Sequence, residues 1–504
     1  MNKYLNIALT SIVLLPLSVK AQNEVDALRY SQVTGAATAR ALSLGGAGGS
    51  YGGDFSSLSI NPAGIGIYRS SEVMFTPTLR VNTMNGSYLG TNSSDNNTRF
   101  GIGNLGGVFT TKLNKRKGSS DGWQTISFGA GYNRVADFNQ HGYYAGNNDH
   151  SSMTEGFAAD AKANGTGDNL VPPYGYFGYE GYLLDTALNS IPYNNIIKNG
   201  GSLNQAKSWQ SKGGIDEFTL SIGGNYADKL MLGATMGITS YKYDRTTSYG
   251  EADATGNTNN DFDRMQYNEY LSTTGVGFNV KLGAIYKIND YIRIGGAFHT
   301  PTWTSFSDVS DYDMDSYTEN YKASLGAANT DPHTYVQPSS AYTYNYNLRT
   351  PWKGVLSATG FMGKYGFVTA DYEYTAYNSM RYSFDNQDAG YEHQVNQAIQ
   401  DTYKGTHNVR LGVEGKLDNF SGRLGFAYYS SPYKRSDEFD GQRMDLSAGV
   451  GARFGGFFVD LAYVHIMQKN DEFPYPANAP GVPVDLANIK YGNNVVALTL
   501  GFKL

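Results

Sequence analysis

Beyond residue 71, apolar and polar side chains alternate with a period of two along most of the chain. Residues 229–242 place Leu230, Leu232, Ala234, Met236 and Ile238 on one side, and Lys229, Thr235 and Thr239 with small residues on the other. Residues 405–417 set His407, Val409, Leu411, Val413 and Leu417 against Asn408, Arg410, Glu414 and Lys416. Val368, Ala370, Tyr372 and Tyr374 oppose Thr369, Asp371 and Glu373, and Val496, Leu498, Leu500, Phe502 and Leu504 oppose Ala497, Thr499, Gly501 and Lys503. Successive strand side chains point to opposite faces, so one face of each strand suits lipid and the other suits water.

Strands of this kind are predicted over 72–84, 99–113, 123–135, 214–226, 229–245, 269–287, 290–306, 342–362, 365–377, 405–416, 419–431, 441–454, 456–468 and 492–504. They number fourteen. Short connections such as Ala227-Asp228, Asn289-Asp290, Gly363-Lys364 and Asp418-Asn419 alternate with long ones at 136–213, 246–268, 307–341, 378–404 and 469–491, as in barrels of the bacterial outer membrane. In hydrocarbon every backbone N–H and C=O needs an internal partner, so the sheet must close and strand 492–504 must pair with the first. The fold class expected is therefore all-β, a 14-stranded antiparallel transmembrane β-barrel. Tyr241, Tyr243, Tyr428 and Tyr429 suit interfacial girdles. Fourteen strands exceed the roughly eight that side chains alone fill. Residues 22–71, rich in Gly, Ala and Ser, are the expected plug inside the lumen, ahead of a barrel over 72–504.

The N-terminus adds a compartment. Lys3 precedes an apolar run over 7–19, and Val19-Lys20-Ala21 offers small residues where a signal peptidase reads, so 1–21 is expected to be a secretory signal. Sixty-one glycines and 41 tyrosines in 504 residues fit a β-rich chain. With 39 basic and 45 acidic side chains the net charge is −6, which gives no reason to expect a nucleic-acid partner. Zero cysteines exclude disulfides, thiolate metal sites and thiol catalysis.

Within the plug, the run TARALSLGGAGGSYGGDFSSLSINPAGIGIYRSSEVMFTP carries Asn61, Pro62, Ala63 and Gly64 just upstream of the first strand. This run resembles the hatch-to-barrel junction of the FadL/TodX family of outer-membrane transport proteins, Bacteroidetes-type members above all. The resemblance is specific over about residues 34–77 and extends in architecture to hatch, fourteen strands and long outer loops. It implies a bacterial outer-membrane channel. Long-chain fatty acids or aromatic hydrocarbons would be caught by outer loops and released past a movable plug, sideways beside a kinked third strand. The physics is favourable: burying about fifteen methylenes at ~0.8 kcal/mol each is worth about 12 kcal/mol, so a shielded path into the bilayer needs no energy source. Pro62 fixes its own φ and biases Asn61 away from helix, and Asn61 suits an Asx-turn. The motif therefore also reads as a structural elbow.

Gly129 and Gly131 in strand three are candidates for a kink, or else for lumen packing. In the 136–213 loop, Phe177, Tyr179, Leu183, Leu184, Leu188, Ile191, Ile196 and Ile197 either pack a cap over the barrel mouth or line a capture groove. Arg293, Asp371, Glu373, Arg410, Glu414, Arg423 and Asp460 are expected lumen charges that either hold the plug or are simply hydrated. The seven histidines are scattered with no HExxH or Gly-x-Ser-x-Gly partner, so no catalytic residue is assigned. Asp308, Asp311, Asp313 and Asp315 fall short of a calcium loop, with Ser316 where glycine is needed. No cofactor or metal is expected. The expected partners are a hydrophobic small-molecule ligand, outer-membrane lipid and lipopolysaccharide, and the barrel-assembly machinery. A surface adhesin or structural barrel with a permanently shut plug is the competing class.

Overall fold

The computed structural model describes residues 23–33, 37–113, 122–164, 170, 172–186, 193–195, 202–258, 261–319, 321–324, 330–384, 389–435, 441–472, 474–475 and 484–504. The expected signal segment 1–21 lies outside them. Fourteen antiparallel strands close into one barrel. They are β1 (Glu72–Tyr88), β2 (Thr91–Lys112), β3 (Trp123–Asp137, continued by Gln140–Asn148), β4 (Leu203–Tyr226), β5 (Leu230–Asp253), β6 (Arg264–Lys287) and β7 (Ile292–His299, continued by Trp303–Tyr317). There follow β8 (Tyr342–Arg349 and Lys353–Phe361), β9 (Gly366–Ala376 and Arg381–Ser383), β10 (Gly405–Leu417), β11 (Phe420–Tyr429), β12 (Arg443–Phe454), β13 (Phe457–Glu472) and β14 (Ala487–Lys503). Each pairs with the next, and β14 returns to β1 in a register running from Glu72↔Lys503 to Ser87↔Asn488. No edge is left at the seam, as closure requires.

The strands depart from the expected boundaries in several places: residues 140–148 and 203–213 of the expected loop 136–213, and 307–317 of the expected loop 307–341, are strand, and three further differences stand out. First, β7 and β8 are both interrupted at one level, at 300–302 and 350–352. Pro301 and Pro351 have no N–H to give a ladder, and threonines stitch the gap instead: Thr302 N donates to Thr350 Oγ1 (2.8 Å) and Thr350 N to Thr302 O (3.0 Å). Second, β1 and β2 meet in the tight turn Leu89-Gly90, both residues at positive φ (46° and 80°), where a loop had been expected. The strict alternation of short and long connections fails there. Third, β4, β5 and β6 are each 24 residues long, roughly 80 Å at ~3.3 Å per residue. Much of the expected loop 246–268 is therefore strand.

Outward faces carry exposed apolar side chains on strand after strand, among them Phe100, Phe128, Leu220, Val276, Leu356, Leu411, Leu424, Val450 and Phe502. On a water-soluble monomer a band of this extent would be a liability. Trp123, Tyr226, Tyr286, Tyr291 and Tyr365 are exposed beside the short turns. The expected girdle residues Tyr241 and Tyr243 instead point into the lumen and are buried there.

At the opposite end stands a cap. Helices α4 (Met153–Asn164) and α5 (Tyr174–Glu180), with the short α6 (Tyr321–Ser324), enclose a core with Tyr249, Met265, Tyr267 and Met314 from the tall strands. The Glu251 carboxylate secures it, accepting from Ser152 Oγ (2.6 Å), Met153 N (2.9 Å) and Gln205 Nε2 (2.9 Å). A further helix, α7 (Ala389–Thr402), lies between β9 and β10.

The plugged lumen as candidate functional site

Residues 23–33 and 37–71 thread the lumen as α1 (Glu24–Ser31), α2 (Ala39–Ser43), α3 (Ser57–Ile60) and a 3-10 turn, Pro62–Ile67. Each of three starts is capped by a side chain that accepts a free backbone N–H: Asn23 takes Asp26 N, Thr38 takes Ala41 N, and Asn61 takes Ala63 N. Short capped turns joined by glycine let the chain stay compact without a core of its own.

Asn61, Pro62, Ala63 and Gly64 are all buried. Asn61 does two jobs. Its Oδ1 closes the turn on Ala63 N (3.2 Å), while its Nδ2 donates to Gly49 O (2.6 Å) and to Ala284 O on β6 (3.3 Å). The motif is thus an elbow that also ties the plug to itself and to the wall.

The wall is notched to receive the plug. A Cβ on Gly412 would stand 2.7 Å from the Leu44 carbonyl oxygen, one on Gly223 2.7 Å from Ile65, and one on Gly295 2.6 Å from the Gly49 carbonyl oxygen. Gly106, Gly233, Gly283 and Gly449 are filled in the same way by Phe55, Pro62, Asn61 and Ser43. Gly129 and Gly131 belong to this socket: Leu58 lies 2.9 Å from the Cβ position of the first, and the Phe55 ring occupies that of the second. These glycines make room for the backbone of the plug at some positions and for its side chains at others.

Charge locks the same half of the plug. Arg40 of α2 donates to Glu414 through Nε (2.9 Å) and Nη2 (3.1 Å), and Glu414 also receives Arg423 Nε (2.6 Å). Arg423 continues to Asp460 (2.7 Å). Asp371 accepts from Gly49 N (3.0 Å), Arg410 pairs with Glu373 (3.1 Å), and Arg293 donates to Tyr51 O (2.8 Å). All seven expected lumen charges thus line the interior, and Glu414, Asp371 and Arg293 contact the plug directly. Burial opposes the Arg40 charge, yet Glu414 and the neighbouring Tyr51 hold its guanidinium protonated above its ordinary range. Arg40 itself was absent from the sequence candidates, although a lone cation in a Gly/Ala/Ser stretch was the available signal. A second group was also missed: Glu217 with Lys281 (2.5 Å), beside His299, whose Nε2 lies 3.0 Å from Ile60 O.

The upper plug is held differently. Tyr30 of α1 stacks on Phe306 (4.8 Å) and meets Tyr241, Tyr243 and Phe138 edge-on. Tyr382 and Tyr403 donate to the carbonyl oxygens of Asn23 and Glu24 (3.0 and 3.1 Å).

Strand β3 pairs with β2 only between Asn104↔Asn133 and Lys112↔Thr125. Beyond Asn133 its ladder shifts at Arg134/Ala136 and breaks after Asp137, and its continuation pairs with β4 alone. Residues 91–103 of β2 keep β1 as their ladder partner and have none on the β3 side. The parting lies beyond Gly129 and Gly131, which are fully inside the paired stretch. Arg80, Arg99, Asp137 and Asn139 gather there, with Arg80 3.8 Å from Asp137 and Arg99 donating to Asn139.

Of the expected groove residues, Phe177, Leu183 and Leu184 are buried in the cap core, and Tyr179 packs partly buried against it. They fill a cap and do not line an open surface. Leu188, Ile191, Ile196 and Ile197 lie outside the described residues.

No family model matches the sequence, and no curated protein does. Solved structures do match. A Pseudomonas aeruginosa FadL homologue is 13% identical over 93% of this chain and 99% of its own, with a TM-score of 0.55. The Pseudomonas putida toluene transporter TodX is 11% identical over 94% and 99%, at 0.54, and the Ralstonia pickettii toluene transporter TbuX 13% identical over 94% and 99%, at 0.50. At such identities the likeness is one of architecture, and in architecture this chain shares the plugged fourteen-stranded barrel of the FadL homologue and the toluene transporters.

Proposed function

We propose that the protein is an outer-membrane channel for passive uptake of hydrophobic small molecules, long-chain fatty acids or aromatic hydrocarbons. Solutes are captured at the capped end, which faces the exterior, and leave past a movable plug through the parting between β2 and β3. The observation that carries this reading is the β2 edge over 91–103, thirteen residues with a ladder partner on the β1 side only. Residues 91–99 are polar and face water, but at Phe100 and Ile102 the unpaired edge reaches the apolar band, where an unpaired backbone is costly and lateral release gives the opening a purpose. The exposed apolar band supports the membrane location, and the toluene-transporter architecture supports the cargo class. The channel performs no bond chemistry.

The competing reading, a surface-binding barrel with a shut plug, draws on the density of bonds between plug and wall. One experiment separates the two. Ser50 Oγ and Thr359 Oγ1 lie 2.7 Å apart between plug and β8, and the chain has no cysteine, so Ser50→Cys with Thr359→Cys gives a single reducible lock. Cells carrying the pair are expected to take up labelled palmitate or toluene when reduced and to lose at least about tenfold of that rate when oxidised. Equal uptake in both states, or none in the unmodified protein, refutes the channel.

A further inference from the structure

The short-turn end of the barrel carries a charge pattern that uptake through the capped end does not use. Each of its six turns has a cation in it or beside it: Lys112, Lys229, Lys287, Lys364, Lys416 and Arg453. Lys503 adds another at the end of β14. Strand register fixes which way most of them face. Lys112 pairs with Thr125, whose hydroxyl reaches Gly66 O of the plug (3.5 Å), and Lys503 pairs with the buried Glu72. Arg453 lies over the buried Phe458 ring (4.9 Å), and Lys416 is 3.2 Å from the lumen carboxylate of Glu414. Lys229 and Lys287 are each two residues from a buried wall position, Met231 and Ile285. Successive strand residues point to opposite faces. In keeping with that, the chain neighbours Tyr286, Leu417, Phe454 and Phe502 are exposed on the lipid side. The cations therefore stand on the lumen side of the wall and ring the foot of the plug.

We infer that this collar is a docking surface for a soluble protein that presents a run of carboxylates. Charge complementarity names the occupant. Among the described residues three exposed carboxylates stand at this end, Asp228, Asp290 and Asp418. The first two are already taken, by Arg69 (2.6 Å) and Lys287 (2.6 Å). Lys416 and Arg453 lean on Glu414 and on Asp460 (3.7 Å). Lys112, Lys229, Lys364 and Lys503 are exposed and take part in no ion pair among the described residues. Their facing argues against phospholipid, because the side chains beside them that meet the membrane are apolar. Nor does the cargo call for them, since the β2–β3 parting lies towards the capped end and the plug stands between. An acidic surface approaching from the short-turn side meets all four, and at a Debye length of about 8 Å it feels them only on close approach. Complementary charge of this kind steers encounter and selects the partner. The inference goes beyond the channel reading and rests on it for orientation alone: with the capped end outside, the collar faces the periplasm.

The test is binding of a short fluorescein-labelled poly-L-glutamate, by anisotropy, to the full-length protein in phosphatidylcholine nanodiscs, where both ends are accessible. The parent is expected to bind, and to bind more weakly as salt rises. Changing the four lysines together, Lys112→Gln, Lys229→Gln, Lys364→Gln and Lys503→Gln, is expected to weaken binding at least about tenfold, equivalent to ~1.4 kcal/mol. Arginine at the same four positions is expected to keep the parent affinity, which separates loss of charge from loss of fold. Four exposed lysines of the capped end, Lys162, Lys212, Lys242 and Lys490, are the control: their change to Gln is expected to alter binding less than about twofold. Parent-like binding by the collar variant, or equal loss in the control, overturns the inference. So does a collar-dependent retention of phosphatidylglycerol in mixed nanodiscs without any collar-dependent binding of poly-L-glutamate, which assigns the cations to lipid. Uptake through the lockable plug is measured separately, so failure here is distinct from failure of the channel.

Discussion

The two halves of the plug are held in the same tube by different physics. The half from α2 to the 3-10 turn is gripped by a buried carboxylate between two guanidiniums, by Asp371 on a backbone N–H, and by glycine notches that admit its backbone. The half at α1 is gripped by aromatic faces and two tyrosine hydroxyls. Buried ion pairs are stiff because breaking one strands a charge in a poor solvent. Ring contacts at about 0.5–1.5 kcal/mol each are exchangeable. The difference teaches that this plug need not be held as one body: the contacts at α1 are the exchangeable ones, and those from α2 to the 3-10 turn the stiff ones.

Single cysteines at Ala27 and Ser57, both buried when docked, report the two halves separately by labelling rate, against a background without native thiols. The largest effect is expected from Glu414→Gln, which leaves Arg40 and Arg423 without their shared counter-charge. It should cost about 3–5 kcal/mol of plug docking, expose position 57 to the label and admit polar dyes. Next is Gly412→Ala, whose new Cβ meets the Leu44 carbonyl; about 1–3 kcal/mol is expected, again read at 57. Phe306→Leu removes the stacking partner of Tyr30 and should cost about 0.5–1.5 kcal/mol, raising labelling at 27 and leaving 57 unchanged. If 57 responds equally, the halves are coupled and the comparison fails.

The smallest effect is one of pH. Burial, with Asp26 nearby, raises the Glu24 carboxyl above its usual range despite an opposing backbone hydrogen bond. A raised carboxylate disfavours the docked state once ionised, so docking of α1 should tighten as pH falls from 7 towards the ordinary carboxylate range and weaken as it rises. Labelling at 27 should slow modestly on acidification, after correction for the thiol's own pH dependence. The opposite trend would show that another group governs α1.

The strand count, the antiparallel order and the sidedness of the wall were legible because each depends on a local period. Leu232, Met236, Val409 and Leu411 are exposed, and Thr235, Thr239, Arg410 and Glu414 face inward, as alternation predicts. Tyr241 and Tyr243 suit an interface by residue type, yet they share the inward, odd-numbered face of Thr235 and Thr239, so the alternation itself already pointed them at the lumen, where Tyr30 meets them. Details that depend on a second layer were not legible. Gly129 and Gly131 look like weak points in a strand until Leu58 and Phe55 are set against them. The interruption at Pro301 and Pro351 was written in the sequence, since neither can donate in a ladder, yet the surrounding pattern ran through it. Arg40 was hidden because its partner lies 374 positions away.

Strand height gives the barrel a slanted rim. Three adjacent strands of 24 residues rise on one flank, whereas β10, β11 and β12, with 13, 10 and 12, barely clear the ~9–11 residues that a crossing needs. The low sill lies close to α7 and the cleft beside it, between β9 and β10; on the channel reading proposed above, the tall flank would be a backstop, and molecules diffusing across the cell surface would meet the entrance from one direction. Neighbouring copies or sugar chains crowding that side would throttle arrival, whereas crowding behind the turret would matter little.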